Sequence, residues 1–139
     1  MTARGSHFTL RTAGKADVVD ITARVHEAVR STGIREGIAC VATAGSTAAV
    51  TTLEFEPGLV KDLRAALDRI LPPGLRYAHA ETGGDDNGDS HLRSTFLGTT
   101  LSLPVSGGRA LLGTWQQVVF VELDHRPRER EITVQVVGE

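Results

Sequence analysis

Residues able to do chemistry are concentrated in one polar, glycine-rich stretch, residues 77–98, which reads YAHAETGGDDNGDSHLRSTFLG. It contains His79 and His91 together with several carboxylates and Asn87. Imidazole can bind a divalent metal ion or transfer a proton near neutral pH. A polar connection of this length between two apolar segments is more often functional than not. We therefore expect the functional site here.

The spacing of the two histidines matches no strong metal-binding motif, so two interpretations stay open. A site with two histidines and one carboxylate needs a third ligand, and Glu54, between a predicted strand and a predicted helix, is the best placed. In the structural interpretation, His79 lies at the end of a strand and His91 makes a hydrogen bond at the start of a helix.

Other polar residues of the stretch allow two chemistries. Three aspartates can supply oxygen ligands for Mg²⁺, or can form turns and cap the next helix: Asp85, Asp86 and Asp89. The helix start after Asn87 offers free backbone N–H groups that suit a phosphate, with Arg93 available as a charge partner.

Two further groups lie outside the stretch. Ser46 and Thr47 follow Gly45 between two predicted strands, where they face an anion or simply form a turn. Trp115 and Gln116 lie between two strands that glycine interrupts; a buried structural tryptophan is the more usual interpretation, and a ligand-stacking wall the less usual one. The chain has no G-x-S-x-G, P-loop or G-x-G-x-x-G motif.

Hydrophobic periodicity predicts the elements that must position these residues. Asp17 and Asp20 are candidate N-caps of the first helix, Gly33 its stop, and Leu92 with Phe96 the buried edge of a short third helix. The predicted strands are 7–12, 37–44, 46–53, 99–105, 109–112, 116–123 and 131–137, and the predicted helices are 20–32, 57–70 and 90–96.

The order of these elements favours one fold class. Strands and helices do not alternate regularly, so we predict an α+β fold: a mixed sheet of about seven strands, with two main helices and a short third on one face. The strands 37–44 and 46–53 meet around Gly45 and resemble central strands. At 139 residues the chain fits a single domain, 1–139.

Composition narrows the partners and the compartment. The 15 Lys and Arg nearly balance the 17 Asp and Glu, so we expect no nucleic-acid partner. The basic cluster of Arg126, Arg128 and Arg130 is typical of a solvated turn. The single Cys40 lies in an apolar run and predicts a buried thiol in a reducing compartment. No segment is typical of a signal peptide or membrane span, so we expect a cytoplasmic protein with no membrane partner.

The order of the motifs resembles the YjbQ family of small bacterial and archaeal proteins over nearly the whole chain. Several motifs in one order are more specific than any single motif, and the chain is identified as a member of that family. The matching segments are STAAVT at 46–51, Glu54 with Glu56-Pro57-Gly58, Asp62, Tyr77 and His79, Asn87, Ser90 and His91, Gly98, Leu103-Pro104-Val105, and Gly113-Thr114-Trp115-Gln116.

The resemblance implies a compact homotrimer whose polar family residues form a pocket at or near the subunit boundary. By this resemblance His79, His91 and Glu54 are catalytic; the histidines hold a divalent metal, Mg²⁺ or Zn²⁺, or move protons, and Glu54 orients a histidine. The same resemblance assigns the substrate-binding residues, which are Ser46, Thr47, Asn87, Trp115 and Gln116.

The implied activity is a secondary thiamine-phosphate synthase reaction, a transfer that joins a pyrimidine methyl diphosphate to a thiazole phosphate and releases pyrophosphate. Two alternatives stay open, so the chain is not assigned as an enzyme: a non-catalytic trimeric binder of a small phosphorylated ligand or anion, and a metal-assisted hydrolase. Gly45 stands where the family usually has histidine, and Leu53 where it usually has asparagine. With two imidazoles instead of three we expect weaker metal binding.

Overall fold

The computed structural model covers residues 1–139 and contains eight strands and four helices. The α+β class is confirmed, with one strand more than predicted. In chain order the elements are β1 (Thr2–Arg11), β2 (Asp17–Asp20), α1 (Thr22–Thr32), β3 (Gly37–Thr43), β4 (Ala48–Leu53), α2 (Pro57–Ile70), α3 (His79–Thr82), α4 (Gly88–Leu97), β5 (Thr100–Ser106), β6 (Arg109–Ala110), β7 (Gln117–Glu122) and β8 (Glu129–Gly138).

The strands divide between two sheets, and every pairing is antiparallel. The larger sheet has the order β1-β8-β3-β5-β6 and the smaller one the order β2-β7-β4. The two strands predicted to meet around Gly45 therefore belong to different sheets: β3 is central in the larger sheet, whereas β4 is an edge of the smaller one. Residues 44–47 connect the larger sheet to the smaller one.

The main core lies between the facing sides of the two sheets and α1. Val29 of α1, Val41 of β3 and Phe120 of β7 are fully buried in it. The other side of the smaller sheet carries a second apolar cluster, in which Leu67 of α2 packs with Val119 and Val121 of β7. The molecule is thus layered as large sheet, small sheet with α1, and α2.

Local signals explain some helix boundaries, but the N-cap residue of α1 is Ile21 rather than the predicted Asp17 or Asp20. Gly33 ends α1 in the left-handed conformation, with a φ of 73°. Asp17, predicted as an N-cap, lies in β2 and pairs with Glu122 of β7. Asp20 accepts hydrogen bonds from the N–H of Thr22, at 3.0 Å, and from its hydroxyl, at 2.6 Å. A strand of four residues beside a helical pattern is too short to show its own periodicity.

The turn between β1 and β2 has an unusual backbone. Lys15 and Ala16 have φ angles of 37° and 55°, a region that residues other than glycine rarely adopt. Surrounding hydrogen bonds hold this turn: the N–H of Lys15 donates to Asp124 O at 2.8 Å, and Arg64 Nε donates to Ala16 O at 2.8 Å. The turn is therefore anchored to α2 and to the end of β7.

The outer face of the larger sheet is not covered by other elements of the chain. Cys40, predicted to be buried, is only half-buried on this face, because its neighbours Ala39 and Val41 take the inward positions of β3. Ile38 on the same side is 59 % exposed. None of the helices combines the length and the apolar character that a membrane crossing requires.

Candidate functional site

Helix α4 buries its polar side and exposes its apolar side, the reverse of the prediction. Leu92 and Phe96, predicted to be its buried edge, are 38 % and 67 % exposed. The buried residues are instead Gly88, Asp89, Ser90, Arg93 and Ser94. These polar side chains can be buried because several of them have partners; for example, Ser94 Oγ donates to Ala48 O at 2.6 Å. The outward side is left to the apolar residues.

Arg93 connects α4 to the end of α2. Its Nε and Nη2 donate to Leu71 O at 3.0 and 2.8 Å, and Nη2 also donates to Asp68 Oδ1 at 3.0 Å. Leu71 is the C-cap of α2, where backbone carbonyls have no partner within the helix. A buried guanidinium at this point satisfies that carbonyl and matches the negative end of the helix dipole. The position of α4 is therefore fixed relative to the end of α2.

The close approach of α3 to α4 depends on Gly88. A Cβ at this position would lie 2.7 Å from Tyr77 Cβ and 3.4 Å from His79 Cβ, so a larger residue would push the two segments apart. Tyr77 itself is held by its hydroxyl, which donates to Pro72 O at 2.7 Å. Burial raises the pKa of Tyr77, and the charge of Asp89 raises it further, so the phenol stays a hydrogen-bond donor.

This arrangement brings the two predicted histidines together. The ring centroids of His79 and His91 are 4.8 Å apart, and the rings meet edge to face at 64°. Both residues are half-buried, so the rings are held by the protein yet open to solvent on one side. Two imidazoles at this distance can both reach one bound group. They can transfer a proton to that group or hold the group by hydrogen bonds.

The donor set around the pair suits some metals better than others. No group of three or more His, Cys, Asp or Glu side chains lies close enough together to hold a metal ion. Two imidazoles fit a Zn²⁺-type ion, which accepts nitrogen ligands, better than Mg²⁺, which prefers oxygen. Within the single chain, such an ion would complete its coordination with water or a bound substrate.

Glu54 lies in the exposed turn before α2. Its carboxylate has no hydrogen bond to His79 or His91, and its backbone oxygen accepts the N–H of Glu56 at 2.8 Å. The helix cap is Glu56, whose side chain accepts from Gly58 N and Leu59 N, both at 2.8 Å. These two bonds lower the pKa of Glu56. The orienting role predicted for Glu54 therefore stays a prediction.

Trp115 is 73 % exposed, so the expectation of a buried structural tryptophan was wrong. It lies in a tight turn before β7, where Gln116 Oε1 accepts the N–H of Gly113 at 2.8 Å. The next residue, Gln117, accepts the N–H of Phe55 at 2.8 Å. That bond places the tryptophan turn next to the segment carrying Glu54, and leaves the indole available for contact.

The three remaining candidates differ in their surroundings. Ser46 is exposed, whereas Thr47 is buried and its hydroxyl accepts from Arg130 Nη2 at 2.9 Å. Asn87 occupies the N-cap position of α4, but its side chain makes no capping bond and its buried Oδ1 has no partner. It lines a polar cavity of about 250 Å³ together with Asp85 and Asp86.

Two ion pairs near Thr47, each with a buried carboxylate, had no signal in the sequence. The predicted solvated cluster is wrong for Arg130, whose side chain is only 12 % exposed and pairs with the fully buried Glu122. Arg128 Nε donates to Asp124 Oδ2 at 3.0 Å. Burial raises the pKa of Asp124, but the bonds from Arg128 and the N–H of His125 outweigh this, and the pKa is lowered overall. Arginines that alternate with one proline, Pro127, and one acid, Glu129, have the composition of an exposed turn, so the sequence did not indicate these pairs.

His125 forms a further pair that no sequence signal indicated. Its Nε2 lies 3.0 Å from both carboxylate oxygens of Asp89, which is 2 % exposed. Asp89, considered as a helix cap or a metal ligand, is thus the partner of a histidine. The two residues are far apart in the chain and come together only because α4 packs against the end of β7.

Comparison with known proteins identifies the relatives of this chain. The family model described as UPF0047 protein YjbQ-like matches residues 6–139. A UPF0047 protein of Methanothermobacter thermautotrophicus is 41 % identical over 129 residues, covering 93 % of this chain and 88 % of the relative. One of Archaeoglobus fulgidus is 37 % identical over 130 residues, covering 94 % and 98 %.

A solved structure supports the same relationship. The crystal structure of a YbjQ-like protein of unknown function from Sulfolobus solfataricus superposes with a TM-score of 0.94 and 37 % identity, covering 99 % of both chains. Sequence and fold agree over nearly the whole length. The chain belongs to the YjbQ-like UPF0047 family.

Proposed function

We propose that the His79/His91 pair is the reaction centre for a small phosphorylated molecule, and that thiamine-phosphate formation is the reaction to test. The observation that carries the proposal is the 4.8 Å contact between the two rings. Two half-buried imidazoles in contact supply a proton donor and a proton acceptor at one place, and phosphoryl oxygens are groups that such a pair can bind.

In the proposed transfer, the thiazole nitrogen attacks the methylene carbon of the pyrimidine. A carbon–nitrogen bond forms, the carbon–oxygen bond to the diphosphate breaks, and the bonding electrons leave with pyrophosphate. The charge develops on the leaving oxygen, so the protein must stabilise that atom. A protonated histidine of the pair donates a hydrogen bond or a proton to it. Exposed Trp115 offers an aromatic face for a ring of the substrate.

A metal ion would supply the same charge neutralisation when bound. His79 and His91 would hold a Zn²⁺-type ion, whereas Mg²⁺ would be expected to arrive bound to the diphosphate. In either case the role of the chain is to orient the leaving group and keep the imidazoles in contact.

The assembly we propose is a homotrimer, in which a second copy covers the apolar side of α4. Leu92 and Phe96 are exposed there, on the helix that also carries His91. An apolar helix edge is more stable when a partner removes it from water. Such a contact would put the histidine pair near a subunit boundary.

A second candidate is a trimeric binder of a small anion without turnover. It is favoured by the guanidinium of Arg130 beside Gly45: a Cβ at this glycine would lie 2.8 Å from Arg130 Nη1. Nη1 makes no hydrogen bond within the chain, so a free N–H donor lies where a histidine of the family pattern would begin, and such a donor suits an anion better than a metal ion.

The experiment is an assay for thiamine phosphate formation by the full chain, with Mg²⁺ and with Zn²⁺ added separately. We expect turnover that falls at least 100-fold in His91→Ala and His79→Ala. The matched control is His7→Ala, an exposed strand residue distant in sequence. Absent turnover with retained binding of the phosphorylated substrates would favour the binder. Turnover unchanged by both substitutions would remove the pair from the site.

A further inference from the structure

We propose a second ligand site, separate from the His79/His91 pair, that binds a phosphate dianion or a small phosphate monoester. The site is a cavity of about 230 Å³ between the β1–β2 turn, α2, the start of α4 and the end of β7. Its charged and titratable lining residues are Lys15, Arg64, Asp68, Asp89, Arg93 and His125.

The cavity lies on a different side of α4 from the histidine pair. Asp89 and Arg93 are four residues apart and therefore lie on one face of the helix. His91, midway between them in sequence, is directed away from that face. The two sites share a helix and no side chain.

The cavity presents free hydrogen-bond donors from separate elements. Arg64 Nε donates to Ala16 O at 2.8 Å, and its two terminal nitrogens have no hydrogen-bond partner in the protein. The ammonium of Lys15 makes no ion pair. Arg93 uses Nε and Nη2 for Leu71 and Asp68 and leaves Nη1 free. Free donors of this kind on converging elements are the groups that bind phosphate oxygens.

The backbone that carries Lys15 is held in an unfavourable conformation. Both Lys15 and Ala16 have positive φ angles, and the bond from Arg64 to Ala16 O holds the turn against α2. Such conformations are unfavourable and persist only where the surroundings impose them. The turn fixes the backbone of Lys15 beside the cavity, so the position from which its side chain reaches a ligand is set in advance.

The imidazole ring of His125 is oriented at this cavity by Asp89. Both oxygens of the buried Asp89 lie 3.0 Å from its Nε2, so this nitrogen carries the hydrogen and Nδ1 is left for a ligand. A carboxylate that holds one nitrogen of an imidazole sets the direction of the other. Protonated at Nδ1, the ring becomes a further hydrogen-bond donor at the cavity.

The net charge of the lining is positive, opposite in sign to that of a phosphate dianion. Lys15, Arg64 and Arg93 supply three positive charges and Asp68 with Asp89 two negative ones, a net charge of 3 − 2 = +1, which becomes +2 with His125 protonated. A phosphate monoester carries about −1.5 to −2 near pH 7. The volume equals about seven or eight water molecules at roughly 30 Å³ each. The lining has no Phe, Tyr or Trp side chain for a ring to stack on, so the ligand we propose is a phosphate group with a small polar remainder.

The test is calorimetric titration of the full chain with inorganic phosphate and, separately, with glycerol phosphate. We expect one phosphate per chain, bound about tenfold more weakly in Lys15→Gln and in Arg64→Gln, because each removes one charged hydrogen bond. Glutamine keeps an N–H near Ala16 O, and the exposed Lys15 has no partner to lose on substitution. The matched control, Arg69→Gln on the same helix α2 but outside the cavity, should bind phosphate as the unchanged chain does.

The double variant His79→Ala/His91→Ala separates this site from the proposed reaction centre. It should lose turnover and keep its phosphate affinity within twofold. Tighter binding of the ester than of inorganic phosphate would identify an ester as the ligand, and equal binding would identify phosphate itself. The proposal is overturned if the unchanged chain binds neither, or if phosphate affinity falls in the double histidine variant and is unchanged by Lys15→Gln and Arg64→Gln.

Discussion

The fully buried carboxylate of Glu122 and the guanidinium of Arg130 form two parallel hydrogen bonds, Nε to Oε1 at 2.8 Å and Nη2 to Oε2 at 2.6 Å. Glu122 ends β7 in the smaller sheet and Arg130 lies in β8 of the larger one, so the pair joins the sheets. Thr12 adds a hydrogen bond of 2.8 Å to the same carboxylate. A buried ion pair thus lies at one end of the contact between the two sheets.

Substitution of Arg130 by Met should be strongly destabilising. It leaves the Glu122 carboxylate buried without its counter-ion, and we expect the free energy of unfolding to fall by about 3–5 kcal/mol. Urea denaturation measures this. Arg11→Met removes an exposed arginine from a 4.0 Å contact with Glu129 and is the matched control, expected to cost less than about 1 kcal/mol. Equal effects of the two substitutions would contradict a structural role for the buried pair.

Introducing a histidine at Gly45 should have two opposite effects. If the assembled site follows the family pattern and brings this position to the histidine pair, we expect Zn²⁺ affinity to rise about tenfold or more, since a third imidazole is added. The new Cβ would lie 2.8 Å from Arg130 Nη1, so the guanidinium must move, and we expect a cost of about 1–3 kcal/mol in stability. Calorimetry with Zn²⁺ and urea denaturation measure the two changes. Unchanged Zn²⁺ affinity would count against a three-imidazole site.

The contribution of Asp124 to stability should depend on pH. Burial raises its pKa, but the hydrogen bonds from Arg128 and from the N–H of His125 lower it more, so the folded-state pKa lies below the unfolded one. Its stabilisation is therefore present above about pH 3.9 and is lost as the pH falls through the folded-state pKa. Arg128→Gln should destabilise at pH 7, with a difference that shrinks below about pH 4. A difference unchanged down to pH 2 would contradict this.

Glu54 and Glu56 should separate activity from stability. Glu56→Ala removes both hydrogen bonds that cap α2 and should lower the melting temperature, with little change in turnover. Glu54→Gln removes no hydrogen bond within the chain and should leave the melting temperature unchanged. If Glu54 orients a histidine across the assembled site, turnover should fall about tenfold or more. Equal turnover in Glu54→Gln and the unchanged chain would remove it from the site.

Phe96→Glu should disrupt the proposed trimer. The side chain is 67 % exposed in the single chain, so the substitution costs the monomer little, but it places a charge in a subunit contact. Analytical ultracentrifugation should show a shift towards monomer. Ile70→Glu, at the similarly exposed end of α2, serves as the control and should keep the assembly. A trimer that survives Phe96→Glu would place the contact elsewhere.

Sequence reasoning was accurate where local chemistry decides the structure. Gly33 was predicted to end the first helix and does so, and the predicted helix 57–70 has the bounds of α2, which begins at a proline. The proximity of His79 and His91 also followed from a glycine-rich connection that lets the chain turn back. In each case the signal lies within a few residues of the feature it predicts.

The failures occurred where partners distant in sequence decide burial. Leu92 and Phe96 have the spacing of a buried helix edge, yet α4 turns its polar side inwards because Ser94 and Arg93 have acceptors on β4 and α2. The Asp89 partnership with His125 likewise depends on packing between α4 and the end of β7. No local pattern contains this information, since each partner belongs to another element.

The burial of the polar side of α4 also affects when this helix forms during folding and how readily it opens. Its buried contacts are directional bonds to groups that exist only after β4, α2 and the end of β7 are in place. We therefore expect α4 to form late in folding, after the nucleus. In the native state it should open at a lower free energy than α1. His91 would then belong to a unit that opens more readily than α1, so access to the histidine pair and the local stability of this helix would be governed by one opening equilibrium.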